Sequence, residues 1–402
     1  MKRFTFGVVA AVLTYAIGVV AASSAVYKDP VIAPQPTPVT HEPAKPAKPS
    51  EGKTLEMVFV LDTTGSMGGL IDGAKQRIWG IVNEVMQTPS RPNVRVGLVA
   101  YRDQGDQYVT QVLPLTNDLD KVYTTLMDYQ ANGGGDWPEN VRRALADGVR
   151  GAGWSKRSND VAQILFLVGD APPHEDYRNE PDTLATAQSA VERGMIVNTI
   201  QCGDAADTRQ IWQSIARRGE GQYFSIAQDG GVQTVSTPYD TRLSELGAKL
   251  GSTYMAYGGG AGPAGARYRA EAADAATVTE RKVATAAPAP AQAERAYNKA
   301  LNRDAYVGDL LQSIENGTVK LDSVKAEDLP DNLQKLSPEE RKKEVERRLA
   351  ERQKIREEIV TLSKQRDAHI AAERKKQSGA KTGFDAAVAT ALKEQLARKG
   401  IK

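Results

Sequence analysis

Very little in this chain of 402 residues can make a covalent cross-link or a soft-metal site. Cys202 is its single cysteine, so no intrachain disulfide can form. That thiol sits in an apolar run, residues 195–202, and reads as part of a buried strand. The three histidines, His41, His174 and His369, lie far apart, which argues against a zinc site. Net charge is only +2, so no overall field steers the chain towards nucleic acid.

Charge is also missing near the start. After Met1-Lys2-Arg3 no charged residue follows until Lys28, and residues 4–22 are apolar except for Thr5, Gly7, Thr14, Tyr15 and Gly18. A basic start before an apolar stretch is a targeting segment, either a cleaved signal or an uncleaved membrane anchor. Ser23-Ser24-Ala25 offers small residues for cleavage, whereas the stretch with its flanks approaches the ~20 residues that span a bilayer. Basic residues stay cytoplasmic, so the bulk is expected on the exported, periplasmic or extracellular side of a bacterial-type membrane. If cleaved, it would be soluble there. Seven prolines between positions 29 and 50 then exclude a packed core and favour a semi-rigid spacer.

Residues 1–27 are thus read as the signal or anchor and 28–53 as a Pro-rich linker. From there to about residue 257 buried apolar runs alternate with helical patterns. Strands are expected at 57–61, 94–101, 109–115, 161–168, 195–202 and 221–226. Helices are expected over 118–129, 139–149, 183–193, 208–218 and 243–250. The short turn through Gly105-Asp106 makes the second and third strands a hairpin. Such alternation implies an α/β fold, a doubly wound, mostly parallel sheet with one antiparallel edge strand. Ligands in such sheets bind beyond the carboxyl ends of the strands, where the strand order reverses.

Three loops at or beside such ends carry oxygen donors. The first is Asp62-Thr63-Thr64-Gly65-Ser66, directly after the run Met57-Val58-Phe59-Val60-Leu61. The second, Asn132-Gly133-Gly134-Gly135-Asp136-Trp137-Pro138-Glu139, precedes a helix; the third, Gly169-Asp170-Ala171-Pro172-Pro173-His174, follows a central strand. Asp62, Thr64, Ser66, Asp136 and Asp170 are the candidate metal ligands. Carboxylates and hydroxyls suit magnesium, with manganese or calcium as alternatives. Arg102 and Asp103 read as an ion pair beneath the site. Trp137 reads either as an interface anchor or as packed against the following helix.

Asp-x-Thr-Gly-Ser after a buried strand, a glycine-rich second loop and Gly-Asp after a second central strand resemble a von Willebrand factor A domain. The Gly-Gly-Gly-Asp loop and Tyr101-Arg102-Asp103 resemble a subgroup that includes bacterial secreted forms and the A domain of alpha-kinase-like proteins. The family's metal-ion-dependent adhesion site is usually Asp-x-Ser-x-Ser, with a threonine in the second loop and an aspartate in the third. The resemblance implies a Rossmann-like fold and places Asp62, Thr64, Ser66 and Asp170 in that site. Asp136 stands where threonine is usual. The resemblance also implies a cation that accepts an acidic side chain of a protein partner.

The remainder divides into a Gly/Ala/Pro-rich linker, 258–290, in which residues 268–287 could form a helix stopped by Ala287-Pro288-Ala289-Pro290, and a helical region, 291–402. Ser337-Pro338-Glu339-Glu340 is a helix start. Val345, Leu349, Ile355, Ile359, Leu362 and Ile370 then form a narrow apolar stripe, expected to serve as a coiled-coil seam for self-association or docking. The sequence therefore favours a non-enzymatic, metal-dependent adhesion or scaffold module that captures a partner's exposed Asp or Glu. Strand-Asp-x-Thr-Gly also resembles the nucleophile loop of haloacid-dehalogenase-type, magnesium-dependent phosphatases. Thr64 stands where those enzymes have their second aspartate. A third reading is a metal-inert scaffold acting through its C-terminal helices.

Overall fold

In the computed structural model, the described residues are 52–88, 92–231, 235–302, 304–376, 384–399 and 401. The expected N-terminal targeting segment and nearly all of the expected Pro-rich linker lie outside them. Among the described residues no helix is long and apolar enough to cross a membrane.

The first half alternates as its apolar runs require. In chain order it comprises β1 (Thr54–Asp62), α1 (Gly68–Met86), β2 (Asn93–Tyr101), β3 (Thr110–Thr116), α2 (Leu119–Asp128) and α3 (Val141–Arg150). There follow β4 (Val161–Gly169), α4 (Thr183–Glu192), β5 (Met195–Cys202), α5 (Ala206–Arg218), β6 (Glu220–Ile226) and α6 (Asp240–Gly251). The sheet runs β3-β2-β1-β4-β5-β6. All pairings are parallel except β2 with the edge strand β3. The fold is thus the expected Rossmann-like α/β sheet with one antiparallel edge. Strand order reverses at β1, which pairs with β2 on one side and β4 on the other. The crevice at their carboxyl ends is where Asp62 and Asp170 emerge.

Alternation along β1 builds two cores. Leu55, Met57, Phe59 and Leu61 face α1 and α2, while Val58 and Val60 face the side covered by α3, α4 and α5. Cys202 is buried in the first of these, as its apolar run required. Asp118, Asn140 and Asp182 cap the N-termini of α2, α3 and α4 through their side chains.

The second half is helical: α7 (Gly262–Ala286), α8 (Ala289–Leu301), α9 (Leu310–Glu315), α10 (Asp331–Gln334), α11 (Pro338–Lys376) and α12 (Phe384–Arg398). The helix allowed within 258–290 forms as the 25-residue α7 and begins earlier than residue 268. Its alanines are the best helix formers, and this outweighs the glycines and prolines confined to its ends. The apolar stripe of α11 is not an open seam. Ile355 and Ile359 pack with Leu243, Leu246 and Leu250 of α6, with Leu362 beside them, and Val345 packs with Leu310 and Leu311, joined by Leu349. Fully buried Arg352 is ion-paired to Asp309, which is equally buried, and donates to the Thr253 carbonyl at 2.8 Å.

The last helix, α12, lies on the sheet itself. Phe384, Ala387, Val388, Ala391, Leu392 and Leu396 join the core that holds Phe59 and Phe166.

Candidate metal centre

Asp62 ends β1 and is fully buried. Its Oδ1 accepts from the Thr64 backbone N–H at 2.8 Å and the Thr64 hydroxyl at 2.7 Å, while Oδ2 has no hydrogen-bond partner. Burial first, and the Asp170 charge second, push its pKa up to about 7 against the Thr64 hydrogen bonds. Asp170 follows β4, is itself buried, and accepts from Gln228 Nε2 at 2.7 Å. Its backbone carbonyl accepts from the Thr208 hydroxyl at 2.9 Å, which ties the third loop to α5. Ser66 sits exposed in a 3-10 turn, Gly65–Met67, and the Gly65 N–H bonds the Gly133 carbonyl at 3.1 Å to join the first and second loops.

The structure therefore brings Asp62, Thr64 and Asp170 together, with Ser66 on the exposed rim. Asp136 goes elsewhere. Its carboxylate, 59% exposed, lies 3.4 Å from His174 Nε2. The acid drawn in beside Asp62 and Asp170 is Glu139. It is 4% exposed, and its Oε2 is buried without a hydrogen-bond partner. Burial, then the charges of Asp62, Asp103, Asp106 and Asp170, push its pKa up to about 9.

Backbone geometry explains the exchange. Gly133 and Gly134 have φ of 78° and 75°, a region closed to most side-chain-bearing residues, and they fold the second loop back on itself. A Cβ on Gly134 would stand 2.6 Å from Glu139 Oε1 and 3.0 Å from Thr64 Cβ, so the missing side chain leaves room for Glu139 beside Thr64. The Glu139 N–H then bonds the Pro172 carbonyl at 3.0 Å, and its carbonyl accepts from the His174 N–H at 3.2 Å. In sequence, Pro138-Glu139 is indistinguishable from an ordinary helix start, so nothing there marks Glu139 as a ligand.

Other expectations are altered nearby. Arg102 does not pair with Asp103; it donates to the Thr63 and Gln130 carbonyls and lies 4.5 Å from the centroid of the Tyr108 ring. Asp103 instead accepts from the Tyr177 hydroxyl at 2.7 Å. Trp137 is exposed, and its Nε1 donates to Asp207 at 2.7 Å.

Asp62, Glu139 and Asp170 meet no Lys or Arg ion pair among the described residues. Like charges this buried need a proton or a cation between them. Hydroxyl and carboxylate donors with unmet oxygens fit a hard divalent cation.

Residues 56–238 match the family model described as von Willebrand factor A domain. The chain is 40% identical over 199 residues to the human von Willebrand factor A domain-containing protein 7, covering 49% of this chain and 20% of that protein. It is 25% identical over 160 residues to the putative ariadne-like RING finger protein R811 of Acanthamoeba polyphaga mimivirus, covering 39% of this chain and 15% of that one. The chain thus spans a fifth or less of these curated relatives. Among solved structures it is similar to the conserved hypothetical protein BatB from Bacteroides thetaiotaomicron, with a TM-score of 0.32, 17% identity and coverage of 44% of this chain and 91% of that one. On its sheet, the family-model match and the sequence relatives, residues 56–238 of this chain form a von Willebrand factor A domain.

Proposed function

We propose that the Asp62 face binds a divalent cation, magnesium before manganese or calcium, and uses it to capture an exposed Asp or Glu of a protein partner. The observation that carries this reading is the convergence of three buried carboxylates, Asp62, Glu139 and Asp170, with orphaned oxygens on two of them. Asp62, Thr64, Ser66, Glu139 and Asp170 are the residues that would hold the cation. When bound, the cation supplies a positive charge at a loop face otherwise dominated by carboxylates. The chain's own residues do the positioning: Thr64 fixes Asp62, Gln228 fixes Asp170, and the Gly133 carbonyl holds the first loop against the second.

This is an interaction module, in adhesion or scaffolding, more than a catalyst. The Thr64 hydroxyl, at the position where a phosphatase of the haloacid-dehalogenase type places its general acid, is committed to Asp62 Oδ1. Internal burial of the α11 stripe favours the loop face over the C-terminal helices as the partner surface. The basic and apolar N-terminal sequence supports work on the exported side of a membrane.

The test is retention of partners from native envelope by full-length wild type and Asp62→Ala, each with magnesium and with EDTA. A partner held only by wild type in magnesium is expected. Four identical partner sets would sink the reading.

A further inference from the structure

Beside the Asp62 face a second group of side chains aims at one point. Asp103 follows β2, Asp136 lies in the second loop and His174 in the third. One ligand atom from each lies within 4.8 Å of the other two. His174 Nε2 is 3.5 Å from Asp103 Oδ2 and 3.4 Å from Asp136 Oδ2. His174 is 7% exposed, and Nε2 is buried with no hydrogen-bond partner among the described residues.

The partner of the other ring nitrogen sets the tautomer of the neutral ring. Nδ1 lies 2.9 Å from Asp176 Oδ1, and an ionised carboxylate only accepts, so the proton sits on Nδ1. In the neutral ring Nε2 then carries a lone pair, and that lone pair faces two carboxylates. Something positive must stand between them. Against burial, the Asp176 hydrogen bond and the Asp103 and Asp136 charges raise the ring's pKa, so a second proton is the competing occupant; yet a charge-assisted N–H···O bond closes to ~2.7–2.9 Å, shorter than the 3.5 and 3.4 Å found here. The spacing suits a metal better. Tetrahedral ligands at ~2.0–2.2 Å from a cation stand roughly 3.3–3.6 Å apart.

Neighbouring groups hold this arrangement as outer partners hold a metal site. Asp176 fixes the ring through Nδ1. Tyr177 stacks on the imidazole at 4.1 Å between centroids and donates its hydroxyl to Asp103 Oδ2. Asp106 Oδ2 accepts from the backbone N–H groups of Asp103 and Gly134, at 3.1 and 3.0 Å, and so pins the strand end to the second loop.

We propose that Asp103, Asp136 and His174 form a second cation site, selective for a zinc-class divalent ion. Imidazole favours zinc or nickel over magnesium. The site is separate from the Asp62 centre and does not depend on it. Its cation braces the end of β2 and the second and third loops, the loops that shape the Asp62 face.

The experiment is calorimetric titration of zinc into full-length, chelator-stripped protein in excess magnesium. Wild type is expected to bind zinc. His174→Gln and Asp136→Asn should each weaken it tenfold or more, and Asp62→Ala should leave it unchanged. Asp136 is exposed, so its asparagine variant tests the site without threatening the fold. Asp176→Asn should weaken zinc about tenfold through ring orientation alone. Zinc binding unaltered in both Asp136→Asn and His174→Gln overturns the proposal. So does zinc binding lost in Asp62→Ala but kept in Asp136→Asn, since that would put the ion in the other centre. Magnesium titration of Asp62→Ala tests the Asp62 reading on its own.

Discussion

Thr64 grips a single oxygen of Asp62 twice, its N–H at 2.8 Å and its hydroxyl at 2.7 Å from Oδ1. Oδ2 is thereby left unpartnered and directed by a fixed carboxylate. Thr64→Val keeps the volume and the backbone donor and removes only the hydroxyl. A hydrogen bond to a charged group is worth ~1.5–3 kcal/mol, so magnesium affinity should fall tenfold or more. Calorimetric titration reads this directly, and Thr64→Ser should stay near wild type. A Thr64→Val isotherm that overlays wild type would separate Thr64 from cation binding.

Without a cation, the buried acids make stability depend on pH. Asp62 is raised from 3.8 to about 7, and Glu139 from 4.5 to about 9. The folded state therefore binds more protons than the unfolded one between the two sets of values, and unfolding free energy falls as pH rises there. The stabilising contribution is fully present below pH ~4 and is lost as pH passes through 7 for Asp62 and 9 for Glu139. In EDTA, the Tm of wild type should fall from pH 5 to pH 9 more steeply than that of Asp62→Asn, and magnesium should flatten the slope. Equal slopes for the two proteins in EDTA would contradict this.

Periodicity made the sheet legible, and spacing made part of the site legible. Met57 to Leu61 read as a buried strand and the Gly105-Asp106 turn as a hairpin, and both form. Asp62, Thr64 and Asp170 follow from where those strands end. Asp136 and Glu139 differ in kind. Both stand in one loop, three residues apart, and which of them turns inwards depends on the positive φ of Gly133 and Gly134. Hydropathy does not encode that. Counting histidines along the chain likewise misses one imidazole that meets carboxylates from two other loops. In the second half the stripe on α11 was visible, but its partner was not. A stripe records that a face is buried without recording against what.

Gly169 ends β4 where the two central strands converge on the site. A Cβ there would stand 2.4 Å from the Tyr101 hydroxyl and 3.1 Å from Asp62 Oδ2. Both groups are fully buried, so neither can swing into solvent. Gly169→Ala should cost ~1–3 kcal/mol, the usual range for overpacking, and should also displace Asp62. Urea unfolding measures the first effect and magnesium titration the second. A stability loss with unaltered magnesium affinity would show that the site absorbs the added methyl without moving Asp62.

The matched domain ends at residue 238, yet its sheet is covered in part by a helix that begins at residue 384. Phe384 is 1% exposed, its ring lies 6.0 Å from Phe59, and its N–H bonds the Gly230 carbonyl at 2.9 Å. Farther along α12, Gln395 and Asn198 of β5 exchange amide hydrogen bonds at 2.6 and 3.0 Å, both buried. The helix therefore supplies both apolar cover and the partner for a buried amide. Phe384→Ala should cost about 3–5 kcal/mol as a core cavity. Gln395→Leu should cost ~1–3 kcal/mol by orphaning Asn198 Nδ2, while Oδ1 keeps the Gln222 N–H at 2.9 Å. A chain stopped after residue 376 loses both contributions together and exposes the apolar face above β5 and β6. Urea midpoints should fall in the order wild type, Gln395→Leu, Phe384→Ala, truncated chain. A truncated chain that unfolds at the wild-type midpoint would show that the A domain is stable without α12, and the order of midpoints would then have no physical basis.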